Sequence, residues 1–196
     1  SAERLRQQLD FLVEIDRLKS VDRQTRIADG RRENTAEHSW HLAMYALVLA
    51  EHSNENVDLF HVLALCLVHD IVEIDAGDTF AYDVTANGDK EERERRAAER
   101  LFGLLPADQA EYLWRLWEEY EAMETPESRF ANAVDRMQPA MLNHVAGEAS
   151  TWKEHGVTMP QAVKRLSPIG DGSQALWEHT QAIIDEARQR GHIREA

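Results

Sequence analysis

The stretch LVHDIVEIDAGD, residues 67 to 78, places one histidine and four carboxylates directly after an apolar run. The run, residues 62–68, is apolar enough for a buried helix, and it leads straight into His69-Asp70. Burying charge without a partner is unfavourable, so something should compensate these side chains. An ion pair, a metal ion or exposure at a helix end would each do so, and the rest of the chain must distinguish them.

Apolar residues recur at three- and four-residue steps along most of the chain, whereas few stretches alternate as strands do. This periodicity predicts an all-α protein, a bundle of roughly seven to eight helices. Capping signals at Asn34, Asp58 and Thr125 mark three of the helix starts. The polar, Arg-rich segment 21–33 and the segment 75–88 are predicted to be loops. We expect helices at about 3–19, 34–53, 58–74, 89–104, 106–122, 125–152, 160–166 and 171–190.

The 196 residues suit one domain with one sizeable core, and no repeat or low-complexity linker divides them. We therefore expect a single domain over 1–196. Its metal-binding core would occupy about 20–145, with C-terminal helices at 158–190 packing on it.

Charge and composition exclude several classes of function. The net charge of −14 argues against nucleic-acid polymers and anionic membranes as partners. The longest apolar run, Leu42 to Ala50, is too short to cross a bilayer. The N-terminal stretch lacks the apolar core of a signal peptide, and a single cysteine cannot form an internal disulfide. We expect a cytoplasmic protein.

Metal binding accounts best for the charged residues after the run. His69 and Asp70 point about 100° apart on a helix and can bind one ion from two sides. Glu73 follows one turn later on the same face. Other helices must supply further ligands, and His38 and Asp135 are the candidates, the latter inside an otherwise apolar helical stripe. Two imidazoles and two carboxylates suit one divalent ion: Co, Mn, Zn, Fe, Ni or Mg.

The motifs EHS (37–39), HDIVEIDAGD (69–78) and VDRM (134–137), with LKSVDRQT (18–25) upstream, resemble the HD-domain superfamily of metal-dependent phosphohydrolases. The resemblance is to its 5'-deoxynucleotidase branch, over about residues 5–145. It implies a homodimer that hydrolyses (deoxy)nucleoside 5'-monophosphates to nucleoside and phosphate. By this resemblance His38, His69, Asp70 and Asp135 hold the metal ion, Glu73 orients or deprotonates the attacking water, Asp78 assists at the leaving oxygen, and Arg23 binds the phosphate.

Counting charge at this site predicts a second phosphate-binding cation. With Glu73 and Asp78 ionised, the metal and its ligands carry net negative charge, which opposes a phosphate dianion. Arg23 supplies one positive charge only. Lys90, at the start of the predicted 89–104 helix, is the preferred additional residue, and the other candidates are Arg26, Arg31 and Arg32.

Two alternative functions stay open at this point, and the sequence differs from the family pattern at one position. A two-metal HD site, as in phosphodiesterases or di-iron oxygenases, recruits extra histidines, and none lies between Asp70 and Asp135. A non-catalytic nucleotide-binding regulatory module would not need Glu73 and Asp78. Gln24 stands where several family members carry a tryptophan beside the sugar, so the preference for deoxy over ribo sugars is undecided.

Overall fold

The computed structural model describes residues 1–83 and 88–196. The predicted 75–88 loop therefore includes four residues, 84–87, that lie outside the described part. Within the described part, eight α-helices have eight or more residues and three more are single turns, which confirms the all-α prediction. In chain order they are α1 (Ala2–Glu14), α2 (Thr35–Leu49), α3 (Leu59–Val68), α4 (Glu73–Ala76), α5 (Lys90–Phe102), α6 (Ala107–Ala122), α7 (Pro126–Ala146), α8 (Thr151–Glu154), α9 (Met159–Leu166), α10 (Ile169–Gly172) and α11 (Gln174–Gln189).

The three predicted caps are present. Asn34 accepts from the backbone N–H of Glu37, whose side chain accepts from the backbone N–H of Asn34 in return. Asp58 caps α3, and Thr125 forms a capping box at the start of α7, followed by Pro126. These side chains satisfy amide groups that a helix start otherwise leaves unpaired, and so they fix where each helix begins.

The Arg-rich segment is an antiparallel hairpin rather than the predicted loop. Strand β1 (Asp22–Arg26) pairs with β2 (Arg32–Asn34), with an irregular register between the two ends. Gly30 turns the chain between them at φ +94°. Charged residues dominate both strands, so the β-branched and aromatic enrichment that normally indicates a strand is missing.

Helix α3 ends six residues earlier than predicted, just before His69. From there the backbone tightens into i→i−3 hydrogen bonds, as from Ile71 N to Val68 O and from Glu73 N to Asp70 O. The His69 side chain donates through Nδ1 to the carbonyl of Cys66, the acceptor that a regular helix would offer to the next backbone N–H. This tight turn points His69, Asp70 and Glu73 inward.

The C-terminal predictions need two corrections. Helix α7 continues through Pro139 but ends at Ala146 rather than near Trp152, because Gly147 takes a positive φ of 55°. The expected 171–190 helix is divided into α10 and α11 by Ser173, whose backbone is extended and whose hydroxyl caps α11. Both interruptions fall at small residues that favour turns and caps.

Helix α7 is the centre of the packing and contacts α2, α3, α6, α9, α10 and α11. A continuous cluster of buried apolar side chains extends from Phe11 to Ile193. None of the described helices combines the length and the hydropathy that crossing a membrane requires.

Gly172 permits α10 to lie directly against α7. A Cβ atom at this position would lie 2.3 Å from the backbone carbonyl oxygen of Arg129 and 2.8 Å from the Cβ of Ala133. We expect Gly172→Ala to destabilise the fold by about 1–3 kcal/mol, because neither backbone can move freely. Urea unfolding measures this. Gly170→Ala is the control, since its Cβ would meet only side chains at 3.4 Å or more; equal stability of the two variants would contradict the close packing.

Candidate functional site

The four predicted metal ligands meet where the start of α2, the end of α3 and the middle of α7 come together. His38 Nε2 lies 2.8 Å from Asp135 Oδ1 and 3.8 Å from Asp70 Oδ2. His69 Nε2 lies 3.1 Å from Asp70 Oδ2 and 3.7 Å from Asp135 Oδ1. One ligand atom each from His38, His69 and Asp135 lies within 4.8 Å of the others. Both imidazoles are buried, with 0% and 4% of their surface exposed.

Hydrogen bonds on the far side of each ring determine the tautomers. His69 Nδ1 lies 2.9 Å from the carbonyl oxygen of Cys66, which can only accept, so Nδ1 carries the proton. His38 Nδ1 lies 2.9 Å from Gln138 Oε1, and the amide nitrogen of Gln138 donates to Glu33 Oε1 at 2.7 Å. Both Nε2 atoms therefore face the carboxylates and are the positions left for a metal ion or a second proton.

This donor set fits a divalent cation. With the proton of each ring on Nδ1, each Nε2 atom can bind a metal ion or take up a second proton, and either cation would lie between Nε2 and the carboxylate oxygens that it faces. His69 Nε2 is also buried with no hydrogen-bond partner among the described residues. The chain's own groups thus converge as metal ligands do, each imidazole being oriented through its other nitrogen.

The same charges make a proton compete with a metal ion for the site. Burial opposes a charge on His69, but Asp70 and Asp135 outweigh burial and raise its pKa. Burial also opposes ionisation of Asp70, yet His69 and Arg23 lower the pKa of this carboxyl to about 2. Against the same burial, His38 and His69 hold the pKa of Asp135 well below its usual value. The carboxylates stay ionised and attract whichever cation is available.

Tyr120 on α6 is a part of the site that the sequence did not reveal. Its hydroxyl donates to Asp135 Oδ2 at 2.8 Å, and its ring centroid lies 4.4 Å from that of His69. Burial raises the pKa of Tyr120 well above its usual value, and Asp135 adds to this, so the phenol keeps its proton. Tyr120 thereby holds one oxygen of Asp135 and leaves the other facing the imidazoles.

Glu73 and Asp78 line the same cavity as Asp70 and Asp135. Glu73 is 6% exposed, and its Oε2 accepts a hydrogen bond of 2.9 Å from the hydroxyl of Thr35. Burial raises the pKa of Glu73 well above its usual value, and the charges of Asp70 and Asp78 add to the effect. Burial also raises the pKa of Asp78, although Arg23 opposes it. Both carboxyls are therefore suited to exchanging protons.

Arg23 on β1 lies among these carboxylates. Its Nη1 is 3.5 Å from Asp70 Oδ2 and 3.7 Å from Asp78 Oδ1, and its Nε is 3.3 Å from Glu33 Oε2. Burial opposes the guanidinium charge, but Asp70 and Asp78 outweigh burial and raise the pKa of Arg23. The structure thus brings Arg23 to the site that the sequence assigned to it.

The four candidates for a second cation differ in position. Lys90 lines the same cavity as Arg23 and Asp70, and its Nζ lies 3.4 Å from Glu94 Oε1. The other three candidate arginines each pair with a carboxylate near the hairpin, and none of them lines the cavity. Arg31 pairs with Glu37, whereas Arg26 and Arg32 both pair with Glu154.

Two more arginines line this cavity, and sequence reasoning missed both. Arg136 donates through Nη1 to the backbone carbonyl of Arg165 at 2.9 Å, and its Nε is buried without a hydrogen-bond partner among the described residues. Burial and the charge of Arg165 lower the pKa of Arg136. Arg136 directly follows the predicted ligand Asp135 in the sequence. Arg165 lies beside Arg136 only because α9 packs against α7, which the sequence does not show.

Comparison with known proteins identifies the family of the chain. The sequence model of the HD domain matches residues 15–177. The chain is 33% identical over 178 residues to the 5'-deoxynucleotidase HDDC2 of Bos taurus, covering 89% of this chain and 80% of that one. The Homo sapiens 5'-deoxynucleotidase HDDC2 is 30% identical over 177 residues, with the same coverage.

Solved structures show the same relationship. The crystal structure of a predicted metal-dependent phosphohydrolase from Magnetospirillum magnetotacticum MS-1 superposes with a TM-score of 0.93 at 52% identity, covering 98% of this chain and 96% of that one. A conserved hypothetical protein from Pyrococcus furiosus shares the fold alone, with a TM-score of 0.61 at 21% identity and coverage of 92% and 99%. The chain belongs to the HD-domain family, as its motifs predicted.

Proposed function

We propose that this protein is a metal-dependent phosphomonoesterase that hydrolyses nucleoside 5'-monophosphates, deoxy forms included, to nucleoside and phosphate. The observation that carries the proposal is the convergence of the Nε2 atoms of His38 and His69 on the carboxylates of Asp70 and Asp135, at 2.8–3.8 Å, with Arg23 beside Asp70. The names of the HDDC2 relatives and of the Magnetospirillum neighbour support the nucleotide substrate and the metal dependence.

In this proposal His38, His69, Asp70 and Asp135 hold one divalent ion per chain, of the group Co, Mn, Zn, Fe, Ni or Mg. When bound, such an ion supplies Lewis acidity towards a phosphate oxygen or a water molecule. A single ion is supported by the ligand groups: within residues 1–83 and 88–196, one cluster of convergent His, Cys, Asp and Glu atoms is found, and it contains His38, His69 and Asp135. This favours a mononuclear site over the two-metal alternatives.

Glu73 and Asp78 are proposed to move the protons of the reaction. Glu73 accepts a proton from the attacking water, since burial has raised its affinity for one and Thr35 fixes its second oxygen. Asp78 supplies a proton to the 5'-oxygen of the nucleoside as the phosphorus–oxygen bond breaks. A regulatory module that only bound nucleotides would have no use for two such carboxyls, so the catalytic interpretation is preferred.

Arg23 is proposed to bind the phosphate, because a guanidinium matches the spacing of two phosphate oxygens. Lys90 is proposed as a second cation and lies in the cavity beside Glu94. Arg136 and Arg165 add positive charge to the lining from α7 and α9. Together they offset the carboxylates that would repel a dianion.

We also propose that residues 1–196 form a single HD domain, cytoplasmic and homodimeric. The continuous core supports one domain, and a lone buried cysteine fits a reducing compartment. The dimer is supported by an apolar stripe on α2, where Trp40, Met44, Leu47 and Val48 share one face and are 39–64% exposed.

Removal of Asp70 should abolish the metal-dependent reaction. We expect Asp70→Ala to lose phosphate release from every deoxy- and ribonucleoside monophosphate in the presence of each candidate metal, while its circular dichroism stays helical. Elemental analysis should find one metal equivalent per parent chain and much less in the variant. Asp75→Ala is the control, because Asp75 lies in the same segment but pairs with Arg100. Two metal equivalents per parent chain would contradict the mononuclear site.

Removal of Arg23 should weaken transition-state binding. We expect Arg23→Ala to raise KM and to lower kcat/KM by roughly 10²-fold, equivalent to about 3 kcal/mol for a lost charge-assisted contact. Arg31→Ala, on the same hairpin but paired with Glu37, should keep parental kinetics. Parental turnover by Arg23→Ala would place the phosphate elsewhere.

A charge on the α2 stripe should dissociate the dimer. We expect Trp40→Glu to shift the mass measured by light scattering from two chains to one, because a carboxylate cannot be buried unpaired in an apolar interface. Val145→Glu is the control, since Val145 is a comparably exposed apolar residue of α7. An unchanged mass for Trp40→Glu would exclude this face as the interface.

A further inference from the structure

Glu33 is a buried carboxylate beside the site to which the proposed chemistry gives no role. It lies in β2 and is 1% exposed, and Gln138, its partner on α7, is fully buried. Burying a carboxylate is unfavourable, so an apolar residue would serve packing alone at lower cost. Its contacts show what it does instead.

The first contact determines the orientation of the Gln138 amide. A carboxylate only accepts, so the amide nitrogen of Gln138 faces Glu33 Oε1 at 2.7 Å. The same nitrogen lies 3.1 Å from Nδ1 of His41, which accepts its second proton. The amide oxygen then faces His38, at 2.9 Å from Nδ1, and Glu33 Oε2 lies 3.6 Å from the same nitrogen. Nδ1 of His38 must donate, which leaves Nε2 to face Asp135 Oδ1 at 2.8 Å.

The second contact orients the guanidinium. Glu33 Oε2 lies 3.3 Å from Nε of Arg23, so the carboxylate attracts the inner edge of this group as an ion pair, without hydrogen-bond geometry between the two atoms. The outer nitrogen, Nη1, then extends towards Asp70 and Asp78. One side chain thus faces both the proposed metal ligand, through Gln138, and the proposed phosphate ligand directly.

We propose that Glu33 and Gln138 are positioning residues that hold His38 in its metal-binding tautomer and Arg23 in its phosphate-binding orientation. The inference rests on the proposed roles of His38 and Arg23. It goes beyond them in assigning both orientations to one buried carboxylate on the hairpin.

The experiment compares two variants with the parent, using Zn²⁺ alone as the probe. Gln138→Met keeps the length of the side chain and removes the amide. The exchanged pair, Glu33→Gln with Gln138→Glu, restores an acceptor for His38 Nδ1 and a donor opposite it, but it withdraws the carboxylate from Arg23. Thr180→Val is the control for loss of a buried hydrogen bond, since Thr180 is buried on α11 and bonds the carbonyl of Leu176.

Two measurements need no nucleotide. Nitrogen-15 NMR of the Zn²⁺-loaded protein reports which nitrogen of His38 carries the proton, and competition with a chelator gives the Zn²⁺ affinity. We expect Nδ1–H in the parent, a roughly 10–100-fold weaker affinity in Gln138→Met, and recovery to near the parental affinity in the exchanged pair. Thr180→Val should match the parent.

A third measurement separates the two roles of Glu33. The exchanged pair should show a raised KM for a nucleoside monophosphate despite its recovered Zn²⁺ affinity, because Arg23 has lost its carboxylate. Metal binding through Nδ1 of His38, a parental affinity in Gln138→Met, or a tenfold weaker affinity in the exchanged pair would each overturn the proposal. If the protein hydrolysed no nucleotide, the proposed function would fail while the Zn²⁺ and NMR results still decided the role of Gln138.

Discussion

The structure depends on one electrostatic constraint: two ionised carboxylates and two imidazole nitrogens face one another in the interior. Asp70 and Asp135 cannot be neutralised by protonation at ordinary pH, because the charges around them hold their pKa values low. Most of the surface of both side chains is also shielded from the bulk water that would screen their charges. A cation must lie among them, either a proton on an imidazole or a metal ion, and three helices are arranged so that their side chains can surround it.

This constraint explains which parts of the molecule the sequence could predict. The helices and their caps follow from periodicity and from side chains such as Asn34 and Thr125, whose effects are local. The proposed ligands were predictable because a histidine or aspartate is rarely buried within an apolar stripe unless a partner or a metal ion compensates it. These signals lie in single segments and need no knowledge of how the segments pack.

The features that sequence reasoning missed depend on packing between segments. The early end of α3 results from a side chain that takes a backbone acceptor, which periodicity does not register. Tyr120 and Arg165 look like ordinary residues of amphipathic helices until α6 and α9 are set against α7. The β-hairpin carries charged residues where strands normally carry branched ones, and side chains such as Arg23 face a polar cavity rather than a core.

Cys66 lies one helical turn before Asp70. Its backbone carbonyl orients His69, and its thiol is buried. Burial raises the pKa of the Cys66 thiol, so the reactive thiolate does not form. A thiol in this state reacts slowly with peroxide, because the thiolate is the form that is oxidised. The backbone of Cys66 can therefore orient an imidazole of the site while its own sulfur atom, within one helical turn of Asp70, stays an unreactive part of the core.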